Sequence, residues 1–165
     1  MIASGSPPAG DGQSVFERAA TRTLTPLDVA IAATVAGTVG GLPSTVWAAA
    51  TGRDVLEAAR AAGTLVPGHR HRPGLVAGGA VHAAMSLLWA GAIAAGVRRR
   101  PVRPLQGAAL GMAIATLDLA VVGRRYPAIR ALPAIPQWCD HVAFGSAVAT
   151  VLERRRSAAS QRTRR

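Results

Sequence analysis

Two stretches without a single charge constrain this chain more than any other feature. Between Asp28 and Arg53 run 24 residues, VAIAATVAGTVGGLPSTVWAAATG, and between Arg72 and Arg98 run 25, PGLVAGGAVHAAMSLLWAGAIAAGV. A spanning helix needs roughly 18–20 apolar residues, and at ~1.5 Å per residue each stretch can cross a ~30 Å hydrocarbon core. A soluble helical domain would have to bury both helices on all sides. A chain of 165 residues has too little volume for that.

Two further spans are weaker. The stretch 104–123 contains Asp118. A central Asp costs roughly 3 kcal/mol on the insertion scale, while each Leu, Ile or Val returns roughly 0.3–0.6 kcal/mol, and there are seven of these. The terms nearly cancel, and Asp118 sits off-centre, so the span forms with support from its neighbours. The stretch 137–152 has only 16 residues, ~24 Å of helix, and opens with Asp140 and His141. It reads as the last member of a bundle, with Asp140 near its start as a cap that answers the helix dipole.

The expected fold is therefore all-α: a polytopic membrane four-helix bundle over 27–152, with spans at about 27–50, 73–97, 104–123 and 137–152. Residues 1–26 read as a polar, disordered tail without the apolar core of a signal peptide. Residues 153–165 read as a basic tail. In the first outer loop, TGRDVLEAARAAG, acidic Asp54 and Glu57 precede Arg60 and a terminating Gly63. That order predicts a short helix, and Val55, Leu56 and Ala59 give it an apolar side suited to the membrane interface. The third loop, RRYPAIRALPAIP, holds three prolines and reads as extended and rigid.

All 19 basic residues are Arg, and the net charge is +11. Twelve Arg flank one side of the proposed spans and seven the other. By the positive-inside rule both termini are cytoplasmic, in an inner, cytoplasmic membrane. Trp47, Tyr126 and Trp138 fall at the outer ends, as an aromatic belt does. Arg runs that hug span ends imply contact with anionic lipid headgroups. Nucleic acid is not an expected partner, because no recognition element accompanies the Arg runs. The single cysteine, Cys139, excludes an internal disulfide.

Counting depth along each helix places Ser44, Thr45, His82, Ser86, Asp118, Asp140 and His141 in the outer half of the membrane. Gly107, Gly111, Ala115 and Asp118 share one face, as do His82, Ser86 and Trp89, and as do His141 and Gly145. Pro43 is expected to kink the first span and free the carbonyl of Val39. Ionisable groups at this depth mark a function or a structural pair. The structural reading has Asp118 bonded to His82 or His141, with Ser44 or Thr45 filling the remaining acceptors. The alternatives are a proton relay through Asp118, His82 and His141, a metal site using His82, His141, Asp118 and Asp140, or a haem held by the two histidines. An acid–base site built on Asp140 and His141 is the only enzymatic option. The sequence has no nucleophile elbow, zinc-protease helix, phosphate loop or dinucleotide fingerprint. The expectation is a non-enzymatic membrane protein without catalytic residues, metal or cofactor. It would act as a structural or interaction component, partnering with itself or another membrane protein; the alternative is a small-solute, ion or proton translocator.

The motifs GLPST, HAAMSLLW, DLAVVGRRYP and PQWCDHVAFG together resemble a group of small, uncharacterised four-span membrane proteins of high-GC Gram-positive bacteria. That resemblance implies architecture only: four helices with their polar positions in the same places.

Overall fold

The structure, a computed structural model, describes residues 24–97 and 102–162. Nearly all of the expected N-terminal tail, Arg98 to Pro101 of the second loop and the last three residues lie outside this range. Among the described residues every regular element is helical.

Helix α1 (Pro26–Gly40) begins with a capping box: the Thr25 hydroxyl accepts the Asp28 N–H at 3.2 Å, and Asp28 Oδ2 accepts the Thr25 N–H at 3.0 Å. Helix α2 (Leu42–Ala50) continues the same span after a break at Gly41. Pro43 explains the break, since it offers no N–H and its ring excludes the carbonyl one turn back. The carbonyl of Val39, which Pro43 cannot serve, accepts the Gly41 N–H instead.

The loop after α2 forms α3 (Glu57–Ala62), followed by a 3-10 turn, Gly63–Leu65. The helix lies against the start of α4 (Leu75–Gly96): a Cβ on Gly78 would overlap the Ala59 carbonyl, and one on Gly63 the Gly74 carbonyl. Helix α5 (Pro104–Ala115) runs into a π-helical segment, Thr116–Val122, and a 3-10 turn, Gly123–Arg125. The third loop is not extended, because Pro127 starts a helical turn, α6 (Pro127–Arg130). Proline suits that first position, where no N–H is needed.

Three continuous helical segments are long and apolar enough to cross a membrane: Pro26–Ala50, Leu75–Gly96 and Pro104–Arg125. The last helix, α7 (Ala134–Arg162), is 29 residues long, ~44 Å, and less apolar. It begins three residues before the expected Gln137 because Pro136 falls in its first turn, where proline costs no hydrogen bond. Its far end continues as helix through Arg154, Arg155 and Arg156 into the expected basic tail.

Helix α7 is the hub, packed by α5, α1 and α2. Its contact with α5 runs glycine to glycine: a Cβ on Gly107 would overlap the Gly145 carbonyl, and one on Gly111 the His141 carbonyl. The core is correspondingly small, with Ala32, Ala36, Ala90, Ile114, Val148 and Leu152 among its members. Large apolar side chains point outward instead; Val76 is 89% and Leu105 81% exposed. A core rich in alanine with many large apolar side chains outside suits helices solvated by lipid.

The helices alternate in direction. At one end Arg155 pairs with Asp28 at 2.7 Å, and Arg156 donates to the Val97 carbonyl at 2.6 Å. At the other, the Arg53 guanidinium lies 5.6 Å from the Trp47 ring and that of Arg70 lies 5.9 Å from Tyr126. This second end also holds α3, α6 and the start of α7.

A candidate polar site around the first turns of α7

Asp140 and His141 are consecutive on α7, so their side chains leave the helix ~100° apart and serve different neighbours. Asp140 faces the break in the first span. Its Oδ1 accepts the backbone N–H of Ser44 at 2.8 Å. Ser44 is the third residue of α2, so Asp140 caps the N-terminus of a neighbouring half-helix. The expectation that it caps its own helix is corrected, since α7 starts six residues earlier, at Ala134.

On the other side of the same break, His82 Nε2 lies 2.9 Å from the carbonyl of Gly37. A carbonyl only accepts, so Nε2 is the protonated nitrogen of that ring. Ser86, one turn deeper on α4, is buried against Gly37: a Cβ there would stand 2.8 Å from Ser86 Oγ. Thr45 does not join the group. It is exposed, and its hydroxyl donates to the Gly41 carbonyl of its own segment at 2.7 Å.

His141 faces the third span. Its Nε2 lies 3.4 Å from Asp118 Oδ2, and its Nδ1 lies 2.8 Å from the Gln137 carbonyl one turn back. The same Asp118 oxygen accepts the indole N–H of Trp89 at 3.0 Å. One carboxylate thus ties α4, the π segment and α7 together. The π segment holds Asp118 at this level: the Gly123 N–H reaches back five residues to the Asp118 carbonyl. A Cβ on Gly123 would press to 2.8 Å from that oxygen.

Of the seven expected residues, Ser44, Asp140, His82 and Ser86 gather at the α1–α2 break, Asp118 and His141 at the π segment, and Thr45 at neither. Asp118 takes His141, not His82, and Ser44 goes to Asp140. Sequence reasoning had Trp89 on the right face but not in the right role. An indole N–H within an apolar helix needs an acceptor, and that was the available signal. The backbone groups of Gly37, Ser44 and Gln137 gave no signal.

A cleft with room of about 20 Å³ opens beside Ser44, bounded by Trp47, Arg53, Pro133 and Gln137, enough for one water molecule. Among the described residues no three His, Cys, Asp or Glu side chains converge as a metal site. His69 and His71 lie in the exposed loop between α3 and α4.

Three helices long and apolar enough to cross a membrane point to a helical membrane protein. No family model matches the chain, and no curated protein or solved structure matches it either.

Proposed function

We propose that this chain is a structural or interaction component of a bacterial cytoplasmic membrane. In this reading α7 is a fourth span, the termini are cytoplasmic, and the polar layer is a set of ties that fixes one arrangement of helices. One observation carries it: the ionisable groups of this layer end on partners from other helices, Asp140 on Ser44, His82 on Gly37, and Asp118 on both Trp89 and His141. Such bonds are worth roughly 0.6–2 kcal/mol each within a membrane bundle. Helix α3, seated on the start of α4, lies along the outer interface, and the Arg-rich flanks meet anionic headgroups. The fixed bundle then offers its outer faces to a second copy or to another membrane protein. Asp118→Leu should lower the unfolding temperature in detergent; a variant as stable as wild type or more so would sink this reading.

A translocator of a small solute, ion or proton is the second reading. The observation in its favour is that two irregular segments, the break at Gly41 and the π segment, each contact the same turn of α7, through Asp140 and His141. Interrupted helices accompany substrate sites in transporters. Flux of protons or ions into liposomes that disappears in Asp118→Asn would favour it over the structural reading.

A further inference from the structure

We propose that Asp118 and His141 form a binding site for one proton. This rests on the pair being a tie between the π segment and α7, and adds that the tie holds only when the proton is bound. His141 Nδ1 lies 2.8 Å from the Gln137 carbonyl, which only accepts, so Nδ1 carries a hydrogen. In a neutral ring that leaves Nε2 as a lone pair, 3.4 Å from Asp118 Oδ2. An ionised carboxylate also presents only lone pairs, so the two atoms would repel. One added proton, on Nε2 or on Oδ2, turns the repulsion into N–H···O or O–H···N. Trp89 donates to the same Oδ2 at 3.0 Å and is compatible with either placement.

The proton also settles the charge. With it the pair is neutral overall; without it the pair carries one negative charge inside the bundle, which is costly there. The other titratable groups facing it are Asp140 on α7 and, beside Asp140, His82 on α4; the α1–α2 break contributes the Ser44 side chain and backbone. The two side chains are 20% and 21% exposed. Loss of the proton would part His141 from Asp118 and leave Trp89 as the remaining donor to the carboxylate.

The test uses full-length protein in lipid nanodiscs with ¹⁵N-labelled histidine and Trp89 as the sole indole (Trp47→Phe, Trp138→Phe). His141 is assigned by its loss in His141→Gln. As pH is raised between about 4 and 10, a range that brackets carboxylate and imidazole titration, the His141 Nε2 resonance and Trp89 emission should move together in one step. In Asp118→Asn the amide can donate to Nε2 without an ionisable proton, so the joint step should vanish. A wild-type protein in which neither signal moves, or in which His141 titrates unchanged after Asp118→Asn, would overturn the proposal. Thermal stability of Asp118→Asn reports separately on the tie, so the two readings fail by different measurements. The wild-type titration decides even if that variant does not fold.

Discussion

The carboxylate of Asp140 caps a helix by way of a residue 96 positions earlier in the chain, its Oδ1 accepting the Ser44 N–H at 2.8 Å. The first N–H groups of any helix lack partners within it, and in hydrocarbon there is no water to replace them. Breaking the first span at Gly41 creates a second set of such groups at depth. Pro43 removes one because it has no N–H, and Asp140 satisfies the next. The break and the carboxylate are therefore one device, in which proline and aspartate on different helices solve a single hydrogen-bonding problem.

Asp140→Ala should cost about 1–3 kcal/mol of stability, since it leaves a half-buried N–H without its acceptor. Asp140→Asn keeps an oxygen in place and loses only the charge assistance, about 1 kcal/mol. Unfolding in detergent followed by circular dichroism should rank the three proteins wild type, Asn, Ala. An Ala variant as stable as wild type would mean that another group takes over Ser44.

Glycine positions should split by what a methyl group meets. Gly111→Ala drives a Cβ into the His141 carbonyl and must push α5 from α7, a cost of about 1–3 kcal/mol by analogy with overpacked cores. Gly79→Ala, on the open face of α4, meets nothing within 4 Å and should be neutral or slightly stabilising. The same unfolding assay reads both, and equal losses would contradict the glycine-to-glycine contact.

Much of this arrangement was legible because it is written in runs and periods. The uncharged stretches gave the first two spans, and the spacing of Gly107, Gly111 and Ala115 pointed Asp118 toward a close helix contact. What escaped was non-local or carried by backbone. Capping rules read a few neighbouring residues, so Asp140 looked like the start of its own helix when its partner was Ser44. Pro136 read as a boundary, although the first turn of α7 tolerates it. The π segment depends on a bond from Gly123 back to Asp118, a backbone register with no compositional mark. Thr45 sat at the right depth, but a hydroxyl that bonds its own helix needs no company and can face lipid.

Trp89 and His141 share Asp118 Oδ2, so their removals should not add. Trp89→Phe keeps the ring and deletes the N–H, with an expected loss of about 0.6–1.7 kcal/mol. In a double-mutant cycle with His141→Leu, the combined loss should differ from the sum by about 0.5–3 kcal/mol. Strict additivity would place the indole and the imidazole on independent acceptors.

Whether α7 crosses the bilayer can be read from two engineered cysteines. At ~44 Å the helix exceeds a ~30 Å core, and its ends lie at opposite ends of the molecule: Arg155 beside Asp28, and Pro133 and Gln137 beside Trp47. Cys139, the native cysteine, is first replaced by serine. His69→Cys and Ser157→Cys then mark the two ends at exposed positions. With cytoplasmic termini and four crossings, a membrane-impermeant maleimide added to intact cells should modify position 69 and leave position 157 untouched until the membrane is opened. The reverse pattern would keep α7 as a span but invert the protein, placing the twelve-Arg side outside. Labelling of both positions in intact cells would mean that α7 does not cross, and that its polar residues face water.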